Sequence, residues 1–162
     1  MTNPSPTTEA VPPSTIPWPP ILIVATVASA IALGSLVPLA WPGENDFAAR
    51  IAGRSLGVAG IVLLIWAVIT LRRHGTTVLP DKATEVLVTD GPFRFRRNPI
   101  YVADILILLG LAELTQNIWL VILAFPFALL VTWLAILPEE RHLEERFGDA
   151  YRSYKAATRR WI

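Results

Sequence analysis

Two apolar parts of this chain are separated by one polar, aromatic-rich stretch, Leu87-Val-Thr-Asp-Gly-Pro-Phe-Arg-Phe-Arg-Arg-Asn-Pro-Ile-Tyr101. Within this polar stretch, Asp90-Gly-Pro92 predicts a turn, because glycine accepts a positive φ and proline fixes φ. Pro99 favours the first turn of a following helix, where its missing N–H costs nothing. Three arginines and three aromatic rings are more than a plain connector needs, although basic loops with aromatic belts are common at membrane interfaces. We therefore predict a polar elbow at the mouth of a membrane helix.

The composition is that of an integral membrane protein. Of the 162 residues, 17% are charged and 53% are hydrophobic, whereas a soluble domain carries about 25% charged residues. The charges are also clustered, which leaves long uncharged runs. The chain has no cysteine, which excludes disulfides, thiolate nucleophiles and cysteine metal sites. With only two histidines, we predict no metal site.

The first part of the chain predicts a tail followed by two transmembrane helices. Residues 1–20 are rich in Pro, Ser and Thr, and we expect a disordered tail. Residues 21–71 contain two apolar runs, 21–41 and about 49–71, each long enough to cross a hydrocarbon core. In the second run, Gly53-x-x-x-Gly57 predicts close contact with another helix.

Residues 72–162 are predicted to form the functional core. Apolar residues 100–114 and 118–137 flank Thr115-Gln-Asn117, which predicts a helical hairpin with a tight turn. Pro138 predicts an elbow where the chain leaves the membrane, and the following residues to Trp161 predict an amphipathic helix. The predicted fold is thus an all-α integral membrane protein with four transmembrane helices, a cytosolic elbow and a C-terminal amphipathic helix.

The distribution of basic residues predicts the orientation in the membrane. Of 14 Lys and Arg residues, only Arg50 and Arg54 border one side, where they can reach the interface along their aliphatic stems. The others lie in residues 72–98 and 138–162. The positive-inside rule places both basic segments in the cytosol, and four spans then place both termini there.

Two blocks of the chain carry a family resemblance. Gly91-Pro-Phe-Arg-Phe-x-Arg97-Asn-Pro-x-Tyr101 resembles the Gly-x-Tyr-x-x-x-Arg-His-Pro-x-Tyr signature of the isoprenylcysteine carboxyl methyltransferase and phospholipid methyltransferase superfamily. Glu139-Glu140-x-x-Leu143-x-x-x-Phe147-Gly148-x-x-Tyr151-x-x-Tyr154, followed by Arg160-Trp161, resembles its C-terminal pattern. Two blocks in the expected order favour a bacterial-type integral membrane member, with the resemblance covering about residues 71–162.

The resemblance implies a non-Rossmann, membrane-embedded site for S-adenosylmethionine, and no Gly-x-Gly-x-x-Gly follows a predicted strand. The cofactor-binding residues that the resemblance implies are Glu85, Val86, Leu87, Val88, Phe93, Asn98, Pro99, Ile100, Tyr101, Glu139 and Glu140. Catalytic roles are predicted for Arg97, Asn98 and Glu140, and the fixed fork of Arg97 suits an anionic nucleophile.

The sequence also departs from the family pattern. Asn98 stands where the family usually has histidine, so the side chain can form hydrogen bonds but cannot relay protons near neutral pH. Phe93 replaces tyrosine and lacks its hydroxyl. Trp133-Leu-Ala-Ile-Leu137 is apolar where the eukaryotic isoprenylcysteine enzymes carry charges, which weakens the case for a prenylcysteine carboxylate as substrate.

The predicted function is methyl transfer from S-adenosylmethionine to a lipophilic or membrane-delivered acceptor, most like isoprenylcysteine carboxyl methylation. Methylation of a phospholipid amine or a small thiol is the first alternative, and a non-enzymatic membrane scaffold or ligand-binding protein is the second. Expected partners are membrane lipids and a lipophilic or prenylated substrate, and no nucleic acid. The expected location is the bacterial cytoplasmic membrane.

The paired carboxyl groups of Glu139 and Glu140 suit the positive groups of the cofactor, although charge complementation at a helix start would also explain them. Successive helical residues point about 100° apart, so one is predicted to face the cofactor and the other to pair with an arginine such as Arg97. Either Glu→Gln change is expected to weaken cofactor binding by about 1.5–3 kcal/mol with less effect on folding. Asp104 is an intramembrane carboxyl group, either functional or paired with a nearby Arg or hydroxyl.

Overall fold

The computed structural model describes residues 16–42, 46–76 and 86–161, and these parts of the chain are helical with no strand. The helices are α1 Trp18–Leu36, α2 Phe47–Arg73, α3 Pro99–Thr115, α4 Ile118–Val131, α5 Leu137–Phe147 and α6 Asp149–Ala157. A 3₁₀ turn spans Gly91–Arg94, and a π-helical segment, Thr132–Ile136, joins α4 to α5. The predicted all-α class is therefore confirmed for these ranges, and residues 1–15 of the predicted tail lie outside them.

The first helix begins three residues earlier than the predicted run. Pro17 precedes α1, and Pro19 and Pro20 lie in its first turn. Proline is tolerated there because the first N–H groups of a helix have no partner within it. The prediction that prolines keep residues 18–20 out of a helix is thus wrong.

Three helices are long and apolar enough to cross a membrane, namely Trp18–Leu36, Phe47–Arg73 and the continuous helix Ile118–Phe147. They support an integral membrane protein. The helix α3 has 17 residues, which at 1.5 Å per residue gives about 25 Å, less than the ~30 Å of a hydrocarbon core. Four complete spans therefore remain a prediction.

Glycines bring α2 and α3 into close contact, as the small-residue spacing predicted. A Cβ built on Gly57 would lie 3.0 Å from the Cα of Gly110, and one built on Gly110 would lie 2.7 Å from the Gly57 nitrogen. Gly53 lies against the side chain of Glu113, and Gly60 against the Ala103 carbonyl. The predicted packing face of α2 is confirmed, and its partner is α3.

We expect Gly110→Ala to destabilise the protein although alanine is the better helix former by about 1 kcal/mol. The new methyl group would meet backbone atoms of Gly57, which cannot rotate away, and overpacking typically costs about 1–3 kcal/mol. Thermal unfolding in detergent measures the effect, with Ala52→Leu on the exposed face of α2 as the control. An unchanged or raised Tm for Gly110→Ala would contradict close packing at this crossing.

The tight turn between α3 and α4 is stabilised by Asn117. Gln116 adopts a left-handed conformation with φ 51°, and the Asn117 side chain accepts a hydrogen bond of 3.0 Å from Trp119 N. The same side chain donates to Ala30 O at 2.8 Å, which joins α1 to the start of α4. The predicted hairpin turn is therefore confirmed, with α1 packed against α4.

Residues Ile118–Phe147 form one continuous helix through Pro138, so no helix break marks the predicted elbow at that residue. Leu137 N donates a hydrogen bond to Thr132 O, five residues earlier, which is the spacing of a π-helix. This spacing shifts the backbone hydrogen-bond pattern just before Pro138, which has no N–H to donate. The break comes at Gly148, where φ is +52°. Glycine favours that conformation, so the predicted single amphipathic helix is divided into α5 and α6.

Candidate functional site

The polar stretch starts against the end of α2. Gly91 has φ +55°, and a Cβ at this position would lie 2.6 Å from Thr70 Oγ1, so both backbone conformation and space require glycine. The neighbouring Asp90 carboxyl lies 3.6 Å from His74 Nε2 at the end of α2. The predicted Asp-Gly-Pro turn is therefore present, and it leads into the 3₁₀ turn.

Residues 149–161, here called the C-terminal segment, pack on the polar stretch. Arg97 N donates to Arg159 O at 3.0 Å, and the Asn98 side chain donates to Arg160 O at 3.1 Å. Tyr154 donates its hydroxyl hydrogen to Phe93 O at 2.7 Å. The two sequence blocks thus form one site.

An ionic cluster of Arg97, Glu140 and Arg160, the first two of them buried and the third partly exposed, lies at the centre of this contact. Arg97 Nε donates to Glu140 Oε1 at 3.2 Å, and the two side chains are 9% and 7% exposed. Arg160 donates to both oxygens of Glu140, with Nε–Oε1 at 3.0 Å and Nη2–Oε2 at 2.7 Å. Glu140 is therefore fully occupied by two guanidinium groups.

Arg97 also holds the end of α6. Its Nη1 donates to Lys155 O at 2.8 Å and to Thr158 O, carbonyls that the helix leaves without partners. A cation at a helix C-terminus is further favoured by the helix dipole. Through Nε and Nη1, Arg97 therefore holds the C-terminal segment in position.

Burial and nearby charges shift the pKa values of Arg160, Tyr151 and Tyr154, which lie outside the candidate membrane spans. The hydrogen bond to Glu140 raises the pKa of Arg160. Burial raises the pKa of Tyr154 to about 12. Burial and then the nearby Glu140 raise the pKa of Tyr151. Both phenols are consequently neutral at physiological pH, and neither is suited to act as a general base.

A second group of polar side chains has no cationic partner in the described ranges. Tyr101 is buried and lies within electrostatic reach of Glu139 and Asp104. No hydrogen bond or ion pair joins either carboxyl group to another residue that the structure describes. Glu139 and Glu140 are therefore adjacent in sequence but differ in surroundings, since only Glu140 is paired with arginine.

The predicted site residues are only partly brought together. Glu85 lies outside the described residues, and Val86 is exposed. Residues with buried or partly buried side chains are Leu87, Val88, Phe93, Asn98, Pro99, Ile100 and Tyr101. Sequence reasoning missed Arg160 as the second partner of Glu140. Its place in the C-terminal block, beside Trp161, was the signal that could have identified it.

The comparisons with known proteins agree with these motifs. The family model described as "Phospholipid methyltransferase" matches residues 48–150, more than half of the chain. The nickel-cobalt-cadmium resistance protein NccN of Alcaligenes xylosoxydans xylosoxydans is 38% identical over 78 residues, which cover 48% of this chain and 35% of that protein. An uncharacterized protein of Haemophilus influenzae is 38% identical over 65 residues, 39% of this chain and all of that protein.

The lengths of these relatives differ from that of the chain. The chain spans about a third of the length of the metal-resistance relative. No solved structure matches the chain.

Proposed function

We propose that this chain, which belongs to the phospholipid methyltransferase family, transfers a methyl group from S-adenosylmethionine to a lipophilic or membrane-delivered acceptor. The membership confirms the superfamily resemblance of the two sequence blocks. It is a family of methyltransferases, and three helices able to span a membrane accord with a membrane enzyme. The observation that carries the proposal to particular residues is that the carboxyl groups of Asp104 and Glu139 have no ion pair among the described residues and lie within electrostatic reach of the Tyr101 hydroxyl.

The described residues fit such a cofactor. S-adenosylmethionine carries a sulfonium and an amino group, and the favourable partners for such charges are carboxyl groups and aromatic faces. Glu139 and Asp104 offer two carboxyl groups without a described cation, within electrostatic reach of the Tyr101 hydroxyl. We assign Glu139 to the positive end of the cofactor. Val88 and Pro99, both buried, are assigned to the apolar wall of the site.

When bound, the cofactor supplies an electrophilic methyl group on a good leaving group, so alignment and exclusion of water provide most of the rate. The chain's own residues contribute to both the alignment and the exclusion of water. The ionic cluster fixes the C-terminal segment on the polar stretch, and the Asn98 side chain joins the two through Arg160 O. Arg97, Asn98 and Glu140, predicted as catalytic, are better explained as positioning residues.

The contacts favour a lipid amine as acceptor over a prenylcysteine carboxylate. A carboxylate acceptor needs a cation, and Arg97, the residue predicted to orient an anionic nucleophile, uses Nε and Nη1 within the protein. An amine acceptor instead suits an environment of unpaired carboxyl groups. Asp104 is then assigned to accept a hydrogen bond from the amine. A prenylcysteine carboxylate and a small thiol remain the alternative acceptors.

Two experiments test the proposal. Calorimetry of the protein in nanodiscs with S-adenosylhomocysteine should show one binding site, and absence of binding would favour a non-enzymatic scaffold. Methyl transfer from labelled cofactor should then be measured against aminophospholipids, a prenylcysteine and a panel of thiols. We expect label in the aminophospholipid, and label only in the prenylcysteine or a thiol would overturn the acceptor assignment while leaving the enzyme class in place.

The name of the metal-resistance relative is no ground for proposing a metal site in this chain. The described residues contain no group of three or more His, Cys, Asp or Glu side chains placed to hold an ion.

A further inference from the structure

Two arginines without a described partner lie near the start of α2, at the end of that helix away from the candidate site. Arg50 and Arg54 are one helical turn apart, and neither side chain makes an ion pair or hydrogen bond with another described residue. Asp46 is the acidic residue just before them, and its Oδ1 accepts from Ala48 N and Ala49 N as the helix cap. From Arg54 to Thr70, which contacts the polar stretch, the helix runs about 24 Å.

These arginines line a shallow, open groove of about 740 Å³ on the exposed side of α2, and all of its described lining belongs to that helix. Its apolar lining is a stripe of Phe47, Ile51, Val58 and Val62, whose spacing places them on one helical face. All four side chains are more than half exposed. From Arg54 to Val62 the helix rises about 12 Å, most of the ~15 Å of one leaflet's hydrocarbon. A charged pair followed by an apolar track of this length accords with the headgroup and the acyl chain of a lipid.

The positive charge of the groove determines which class of lipid headgroup we expect it to bind. A guanidinium group in an apolar surrounding is costly unless it reaches the interface or a counter-ion, and its planar fork matches a phosphate bidentately. Ser55 adds a hydroxyl donor to the same lining. Two positive charges without a described acid partner favour a headgroup with net negative charge over a zwitterionic one. The packing glycines of α2 face α3 instead, so bundle packing leaves the groove open.

We propose that this groove binds one anionic phospholipid, with its phosphodiester on Arg50 and Arg54 and an acyl chain along the part of the stripe that follows Arg54, past Val58 and Val62. This site is separate from the proposed methyl-transfer site and does not depend on it. Its occupant belongs to the leaflet next to the start of α2, and its role is that of a bound structural lipid.

Native mass spectrometry of the full chain in detergent tests the site, with equal amounts of phosphatidylglycerol and phosphatidylcholine of the same acyl chains. The parent should retain one phosphatidylglycerol preferentially. Arg50→Gln with Arg54→Gln should weaken that retention about tenfold or more, as expected for lost charge-assisted hydrogen bonds. The matched control, Arg72→Gln with Arg73→Gln, removes the same charge from exposed residues at the other end of α2 and should retain the lipid.

Four results would overturn the proposal. The first is equal retention of the two lipids by the parent, and the second is unchanged retention by the Arg50 and Arg54 variant. The third is an equal loss in both variants, which would mean that retention follows net charge. The fourth is a dimer that excludes lipid from this face.

Discussion

Replacing Arg97 with alanine should detach the C-terminal segment from the polar stretch and lower the free energy of unfolding by about 3 kcal/mol or more. The change leaves Glu140 buried with one of its two cations removed, and breaking a buried pair in this way is strongly destabilising. It also leaves Lys155 O and Thr158 O without the guanidinium donor. Arg97 thus joins the polar stretch to α5 and to the end of α6.

The matched control is Arg152→Ala. Arg152 also forms an ion pair, with Asp149 at 2.7 Å, but both side chains are largely exposed, so water replaces the lost contact and we expect no measurable change. Thermal unfolding gives the stability, and hydrogen exchange should show faster exchange confined to residues 149–161 in Arg97→Ala. If Arg97→Ala and Arg152→Ala unfold alike, the ionic cluster does not hold the C-terminal segment.

The second large effect is expected on ligand affinity. Glu139→Gln should weaken S-adenosylhomocysteine binding by about 1.5–3 kcal/mol, roughly ten- to a hundredfold, because a neutral amide loses the charge-assisted hydrogen bond to the amino group. The folding stability should remain near that of the parent, since Glu139 has no ion pair among the described residues. Loss of binding without loss of stability is the signature of a ligand contact.

Glu145→Gln is the control, because it removes the same charge from an exposed position of α5. Calorimetry measures affinity and thermal unfolding measures stability for both variants. Affinity equal to the parent in Glu139→Gln would remove Glu139 from the cofactor site. Glu140→Gln should instead lower stability, because it weakens the hydrogen bonds to two arginines.

Local rules predicted much of this fold. The glycine spacing of α2 identified a packing face, and the Asp-Gly-Pro turn and the hairpin turn at Asn117 follow from residue-level preferences. The interruption at Gly148 and the continuity through Pro138 were not predicted, because glycine at a helix end and proline within a helix each allow more than one backbone solution. Hydrogen bonding over five residues leaves no distinctive residue pattern.

The sequence predicted which motif blocks lie in the candidate site, but it did not predict which charged side chains pair with each other. The sequence predicted that one glutamate would pair with an arginine such as Arg97, but the choice between Glu139 and Glu140 depends on how α5 is turned about its axis. The contacts of Glu140 lead us to expect a larger effect on folding than its sequence position indicates, since it is buried between two cations rather than exposed at a helix start. Long-range packing of the C-terminal segment decided that outcome.

The π-helical segment Thr132–Ile136 determines how the following helix α5 is rotated about its axis. Such a segment is an α-helix with one residue inserted, and each inserted residue turns the following helix by about 100°. In uniform α-geometry the same sequence would bring Glu139 to the place of Glu140 beside Arg97, and Pro138 to the place of Glu139. No carboxyl group would then remain at that second place. Conversely, a chain shorter by one residue here could relax to an ordinary helix and keep Glu140 in register, so a one-residue deletion at this point is neutral to the alignment of the site.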